Sequence, residues 1–283
     1  MTNSSQVLYF TLTAYFDIGS LKYLYFMMVM CFYVLIIGSN VLLIVVICVN
    51  RSLHEPMFLF LCSLFVNELF GSLGLFPFLL VQILSDVHSV SAPLCFLQIF
   101  CVYSYAAVEV LNLAVMSYDR YVAICFPLQY NSTMTDRKVA LLIALTWALP
   151  VLATVVLVSL SAPLRLCGNV IDKVFCGNFS IVKLSCSNTS VNNVYGLVLT
   201  VVSIVAPLVL ILYTYGKILE ILQSRFDLSR VPPLLAIVLS LYFLTCQPLF
   251  NPALYGLKMA AIRDACKRLL CGENSAPAAA SHA

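Results

Sequence analysis

Two carboxylates sit where a bare charge is costly. Glu68 and Glu109 each fall well inside a long apolar run, and an ionised side chain in such surroundings costs several kcal/mol unless it is paired, protonated or solvated. A second grouping, Asp119-Arg120-Tyr121, sets opposite charges side by side at the end of an apolar run. That is the arrangement of a juxtamembrane ion pair. The polar loop 161–192 carries Cys167, Cys176 and Cys186, and Cys95 stands at the start of an earlier apolar run, the third along the chain. An oxidising compartment would allow these four thiols to pair in three ways, and spacing alone does not choose among them. No His-Glu-x-x-His, glycine-rich phosphate loop or nucleophile with a base and orienter is present, so no catalysis is expected. His54, His88 and His282 are scattered over loops and tail and support neither metal nor general-base chemistry.

The elements that position these groups follow from composition. Of the 283 residues, 62% are hydrophobic and 10% charged, against about 25% charged in an ordinary soluble domain. So few charges cannot cover a water-exposed surface of this size, and lipid must cover most of the outside. A net charge of +3, with the basic residues in short clusters between apolar runs, excludes nucleic acid as a partner. The partner is the bilayer. A helix needs about 20 mostly apolar residues to cross it, and six segments qualify: 23–49, 57–82, 96–122, 139–161, 192–223 and 232–257. Alternating ten-residue strands are absent, so the spans read as helices. Residues 1–22 lack a signal peptide's basic start and cleavage site, and the first span is expected to act as an uncleaved anchor.

Orientation comes from two signals. The sequons at Asn3, Asn178 and Asn188 all fall on one face if the loops alternate, and that face is expected to be extracellular, whereas Asn131 falls on the opposite face. Lys and Arg agree as far as the fifth span. After it, six strict crossings would carry Lys258, Arg263, Lys267 and Arg268 outside, giving eight basic residues outside against seven inside and erasing the positive-inside bias.

Three segments then carry a resemblance: LHEPMFLFLCSL at 53–64, MSYDRYVAICFPLQY at 116–130 and NPALYGLK at 251–258. Together they resemble the odorant receptors, in the rhodopsin-like branch of G-protein-coupled receptors, and QSRFDLSRVPP from Gln223 is similar to the outer approach to the seventh helix in fish-type members. Here that phrase follows the fifth span directly. The family's third cytoplasmic loop and sixth helix have no counterpart, which implies an internal deletion of about 35 residues near 217–223, from the ~20 that a span needs plus a flanking loop. Restoring them would place nine basic residues inside and six outside. The expected architecture is thus an all-α, rhodopsin-like seven-helix bundle with about six spans present: 1–22 extracellular, 23–257 transmembrane, and 258–283 cytoplasmic, with an amphipathic segment and a disordered tail.

The resemblance also implies roles. Asp119, Arg120 and Tyr121 would form the G-protein switch, Tyr215 on the fifth helix and Asn251, Pro252 and Tyr255 on the last would take part in it, and Pro207 would kink the fifth helix. Tyr103, Ala106, Ala107, Leu199 and Ser203 would face a small odorant. Cys95 would pair with Cys176, and Cys167 with Cys186. Asn40, Glu68, Glu109 and Asn251 would lie close together, where either a sodium ion or a proton shared by the carboxyls meets the cost noted above; plain structural hydrogen bonding is the third reading. No other cofactor is expected. Cys266 and Cys271 are read as unmodified thiols. The implied function is odorant binding and activation of a heterotrimeric G protein at the plasma membrane; the alternative is a truncated, non-signalling product held in the endoplasmic reticulum.

Overall fold

The structure, a computed structural model, describes residues 7–15 and 19–226, with side chains as far as 221. Five helices among these residues are long and apolar enough to cross a membrane: α1 (Leu21–Val49), α2 (Pro56–Leu84), α3 (Ala92–Cys125), α5 (Asp136–Ser161) and the segment Ser190–Ile221. The last is built from α7 (Ser190–Thr200), a π-helical turn (Val201–Val205) and α8 (Ala206–Phe226). These match the first five expected spans. The sixth, 232–257, lies outside the described residues, as does the segment 258–283. In no span is more than 39% of the most apolar stretch buried within the molecule, so the remaining Leu, Val and Phe side chains face outward, as lipid requires.

Local chemistry sets the helix starts. α2 and α3 each carry a proline in the first turn, where the missing N–H costs nothing. α5 is capped by Thr135, whose hydroxyl accepts from the Lys138 N–H, and Asp136 adds favourable charge in its first turn. Pro77 lies inside α2 and Pro150 inside α5, an arrangement that membrane helices tolerate. In the fifth span Pro207 comes two residues after the end of the π-helical turn. It cannot donate to the preceding turn, and the fifth span loosens there.

α3 is the central post, packed against α2, α5 and α8. It approaches α2 closely because Gly71 and Gly74 face it. A Cβ at Gly71 would lie 2.4 Å from the Tyr105 ring and one at Gly74 2.6 Å from Cys101 Cβ; small residues at such crossings let membrane helices touch. Gly71→Leu is therefore expected to destabilise the protein by about 1–3 kcal/mol or more through overpacking. Gly38→Ala, with nothing within 4 Å, should be neutral or stabilising by about 0.5–1 kcal/mol. Thermal unfolding in detergent compares the two, and equal effects would show that the α2–α3 crossing is soft.

The core has two parts. At the Arg120 end, Leu43, Val46 and Ile47 of α1 pack with Phe60, Leu64 and Phe65 of α2 and with Leu113 and Met116 of α3. At the Cys95 end, Phe10 and Leu12 pack with Val90, Ile99, Ile171 and Ile181 around Cys95 and Cys176. This second cluster comes from an element that the sequence did not announce, a three-stranded sheet in the order β2-β1-β3. In it β1 (Tyr9–Leu12) runs antiparallel to β2 (Ser89–Ser91) and parallel to β3 (Val170–Ile171). The N-terminal segment is thus tied down: the Tyr15 hydroxyl donates to the Val174 carbonyl at 2.8 Å and the ring stacks on His88. Burial pushes the Tyr15 phenol up to about 12.

Candidate functional site

A cavity of about 710 Å³ opens between α3, α5, the fifth span and the loop that follows α5. Its size lies within the range of small-ligand pockets. Tyr103, Ala106, Ala107, Leu199 and Ser203 all line it. They do so because Tyr103, Ala106 and Ala107 fall within about one turn on one face of α3, and because the π-helical turn turns buried Ser203 inward. Opposite them stand Asn178, Phe179 and Val182 from the short helix α6 (Asn178–Lys183), with Asn192 at the start of α7. Among the described residues the lining contains no charged side chain. An apolar ligand with few hydrogen-bonding groups suits such walls.

Below the cavity, α2 and α3 bring Glu68 and Glu109 together. Both are buried, and each bears electrostatically on the other. Asn67 Nδ2 donates to Glu109 Oε2 and to the Tyr105 carbonyl, both at 3.1 Å, and the Tyr105 hydroxyl donates to Glu68 Oε2 at 3.3 Å. Glu109 Oε1 has no hydrogen-bond partner among the described residues. Oxygen atoms are thus present for a hard cation. No group of three or more His, Cys, Asp or Glu gathers anywhere among the described residues, so a divalent-type cage is absent from them. Asn40 is fully buried, but its Nδ2 donates to its own helix, at the Ile36 carbonyl, and its Oδ1 has no hydrogen-bond partner among the described residues. Asn251 lies outside the described residues.

Sequence reasoning missed Asn67, Tyr105 and the neighbouring chain in which Trp147 Nε1 donates to Ser63 Oγ, which donates to Asn112 Oδ1, each at 3.0 Å. Asn112 is one turn from Glu109, a spacing that could have marked it.

At the opposite end of α3, Asp119 is fully buried and pairs with Arg120, whose side chain is 38% exposed. The Tyr130 hydroxyl, on α4 (Tyr130–Thr133), donates to Asp119 Oδ1 at 2.8 Å. Burial first, and then this bond to a carboxylate, push the Tyr130 phenol up to about 12. Its folded value is raised, so the neutral donor is the stable form at physiological pH, and its contribution is lost only as pH climbs from the ordinary tyrosine value toward 12. Tyr121 packs edge-on against Phe126, and Tyr215 reaches the electrostatic field of Arg120 from the fifth span.

Known proteins match this arrangement. The family described as seven-transmembrane receptor (rhodopsin family) matches residues 39–260. Human olfactory receptor 11A1 is 33% identical over 303 residues, covering 95% of this chain and 96% of that one. The chain belongs to the olfactory receptors of the rhodopsin family. Human olfactory receptor 56A4 is 31% identical over 273 residues, 84% of this chain and 87% of that one. Mouse olfactory receptor 6E1 is 35% identical over 220 residues, 77% of this chain and 70% of that one.

The receptor is accordingly a multi-pass membrane protein, and its outer cap is cross-linked as the resemblance implied. Cys95 is joined to Cys176 with Cα atoms 5.4 Å apart, and Cys167 to Cys186 with Cα atoms 5.7 Å apart. The two described sequons on the expected outer face differ in their surroundings. Asn178 is buried, it accepts from Ser161 Oγ at 2.7 Å and it lines the cavity. Asn188 is exposed, with Oδ1 accepting from the Ser190 N–H at 2.9 Å. Asn3, Pro252 and Tyr255 of the receptor lie outside the described residues.

Proposed function

We propose that this receptor binds small odorant molecules in the cavity beside α3 and responds through a heterotrimeric G protein that meets Arg120. The observation that carries the reading is the convergence on that cavity of all five residues for which the resemblance implied odorant contact. The Asp119–Arg120 pair with its Tyr130 clasp supports a resting switch, because a two-state element must hold its active residue until ligand shifts the balance. The Glu68–Glu109 pair is the place for a sodium ion or a shared proton. Plasma membrane is the expected destination.

A specific observation favours a second reading, a receptor that lacks its sixth helix and binds without signalling. The 303-residue alignment with olfactory receptor 11A1 uses 95% of this chain, and 95% of 283 residues is about 269. Some 34 positions therefore have no counterpart here. The alignment with olfactory receptor 6E1 covers 220 residues and 77% of the chain, about 218 residues, so scarcely any positions are missing from it. The total missing from the longer alignment is of the length that a crossing and its loop need. QSRFDLSRVPP, arriving straight after the fifth span, supports the same reading and the fish-type branch. Transcript sequence between the codons for Lys217 and Gln223 tests the block itself: a retained coding stretch for the helix would restore the full bundle.

The functional test is a cyclic AMP assay over an odorant panel in cells expressing the full chain. The expected result is a response that Arg120→Ala reduces by about tenfold or more, the scale of a removed charge-assisted contact. A response indifferent to that change would remove Arg120 from the switch.

A further inference from the structure

The outer wall of the cavity holds a hydrogen-bond relay whose direction is fixed by a backbone carbonyl. Asn192 Nδ2 donates to the Leu160 carbonyl at 2.9 Å and also lies 3.3 Å from Ser161 Oγ. A carbonyl can only accept, so the amide nitrogen of Asn192 must face it, and its Oδ1 must point the other way. Ser161 Oγ accepts from Asn192 and so spends its own proton on Asn178 Oδ1, at 2.7 Å. The orientation of Asn178 follows in turn. Its oxygen faces Ser161, and its Nδ2 is left without a hydrogen-bond acceptor among the described residues. Ser161, Asn178 and Asn192 are all nine-tenths or more buried, and both asparagines line the cavity.

That donor belongs to a side chain lining the cavity, where water or a ligand can accept from it. We propose that Asn178 and Asn192 are the receptor's ligand-recognition pair, and that they select a small uncharged molecule carrying a carbonyl or hydroxyl oxygen. Asn178 Nδ2 donates to that oxygen, and Asn192 Oδ1 accepts from it when it is a hydroxyl. The rest of the ligand is hydrocarbon, in contact with Ala106, Ala107, Leu157 and Leu199. Carboxylates and alkylammonium ions are rejected, because the lining offers no opposite charge among the described residues and a charge desolvated without a partner is strongly disfavoured. The segment Asn178-Phe179-Ser180 thus serves in recognition, not as a glycan acceptor. This inference rests on the cavity being the odorant site, and its test separates the two.

The full chain, purified in detergent, is titrated with 2-heptanone, 1-heptanol, heptanoate and heptylammonium, with thermal unfolding as the readout. The ketone and alcohol are expected to bind about tenfold more tightly than either ion. Asn178→Asp keeps the acceptor toward Ser161 and replaces the donor by a carboxylate oxygen. It should weaken 2-heptanone by about tenfold and bring heptylammonium up to or past it. Ser180→Ala, which removes the sequon alone, should change nothing. If Asn178→Asp does not fold, Ser161→Ala releases the relay while leaving both asparagines, and should blunt the preference of ketone over carboxylate.

Probes that bind the unaltered chain with no preference, or a preference untouched by these changes, would overturn the recognition pair. Ala107→Trp fills the cavity. Binding that survives it would place the ligand elsewhere and overturn both this inference and the odorant-site reading, whereas binding that it abolishes, combined with indifference to Asn178→Asp, would overturn the pair alone.

Discussion

Cys95→Ser is expected to lower the stability of the receptor by about 2–5 kcal/mol, a large share of the ~5–15 kcal/mol that holds a typical domain folded. The bond closes a loop of sequence separation 81, and both sulfurs sit at zero exposure in the outer core between Ile99, Ile171 and Ile181. Serine would leave a hydroxyl there, and Cys176 would be released from the top of α3 together with Asn178 two residues on. Cavity and cap should fail together. Cys186→Ser opens a loop of separation only 19, and loop-closure entropy makes its effect smaller by about 1 kcal/mol. Thermal unfolding and surface labelling of the two variants measure the difference. A Cys95→Ser protein that unfolds at the unaltered temperature would show that the sheet alone holds the cap.

The second large effect is a gain. Inserting between Lys217 and Gln223 the loop and sixth helix of olfactory receptor 11A1 is expected to raise odorant-evoked cyclic AMP by at least about tenfold over the unaltered chain, since a two-state switch needs its moving element. The insertion should also transfer Lys258, Arg263, Lys267 and Arg268 from the lumenal to the cytosolic side, as the positive-inside rule favours. Protease protection of an epitope after Ala283 reads that transfer directly. An unaltered chain that already signals as strongly, with its tail in the cytosol, would sink the idea that a crossing is missing.

The sequence was informative where physics acts locally. Runs of about 20 apolar residues can do little but cross a bilayer, and the first five spans lie within a few residues of their expected limits, with α1 beginning at Leu21 and α3 extending to Cys125. The cavity residues and both disulfides became legible through resemblance, because composition does not record which helices are neighbours. Non-local structure stayed hidden. Nothing in Tyr9–Leu12 signals its partners in β2 and β3, and the Glu68–Glu109 site could be suspected from two buried charges while Asn67 and Tyr105, which hold them, could not. The burial of Asn178 was not legible, because a three-residue sequon says nothing about it and its relay through Ser161 spans two elements separated by a loop.

The N-terminal strand has a consequence for how the molecule is made. Thr13 finds Ile171 across a sequence separation of 158, so β1 leaves the ribosome and enters the lumen long before β3 exists to receive it. Throughout that interval Phe10 and Leu12 are bare, the kind of transient apolar exposure that invites aggregation and that a lumenal chaperone would have to shield. Completing the sheet is therefore a late event in biogenesis, possible only after the fourth crossing has been threaded.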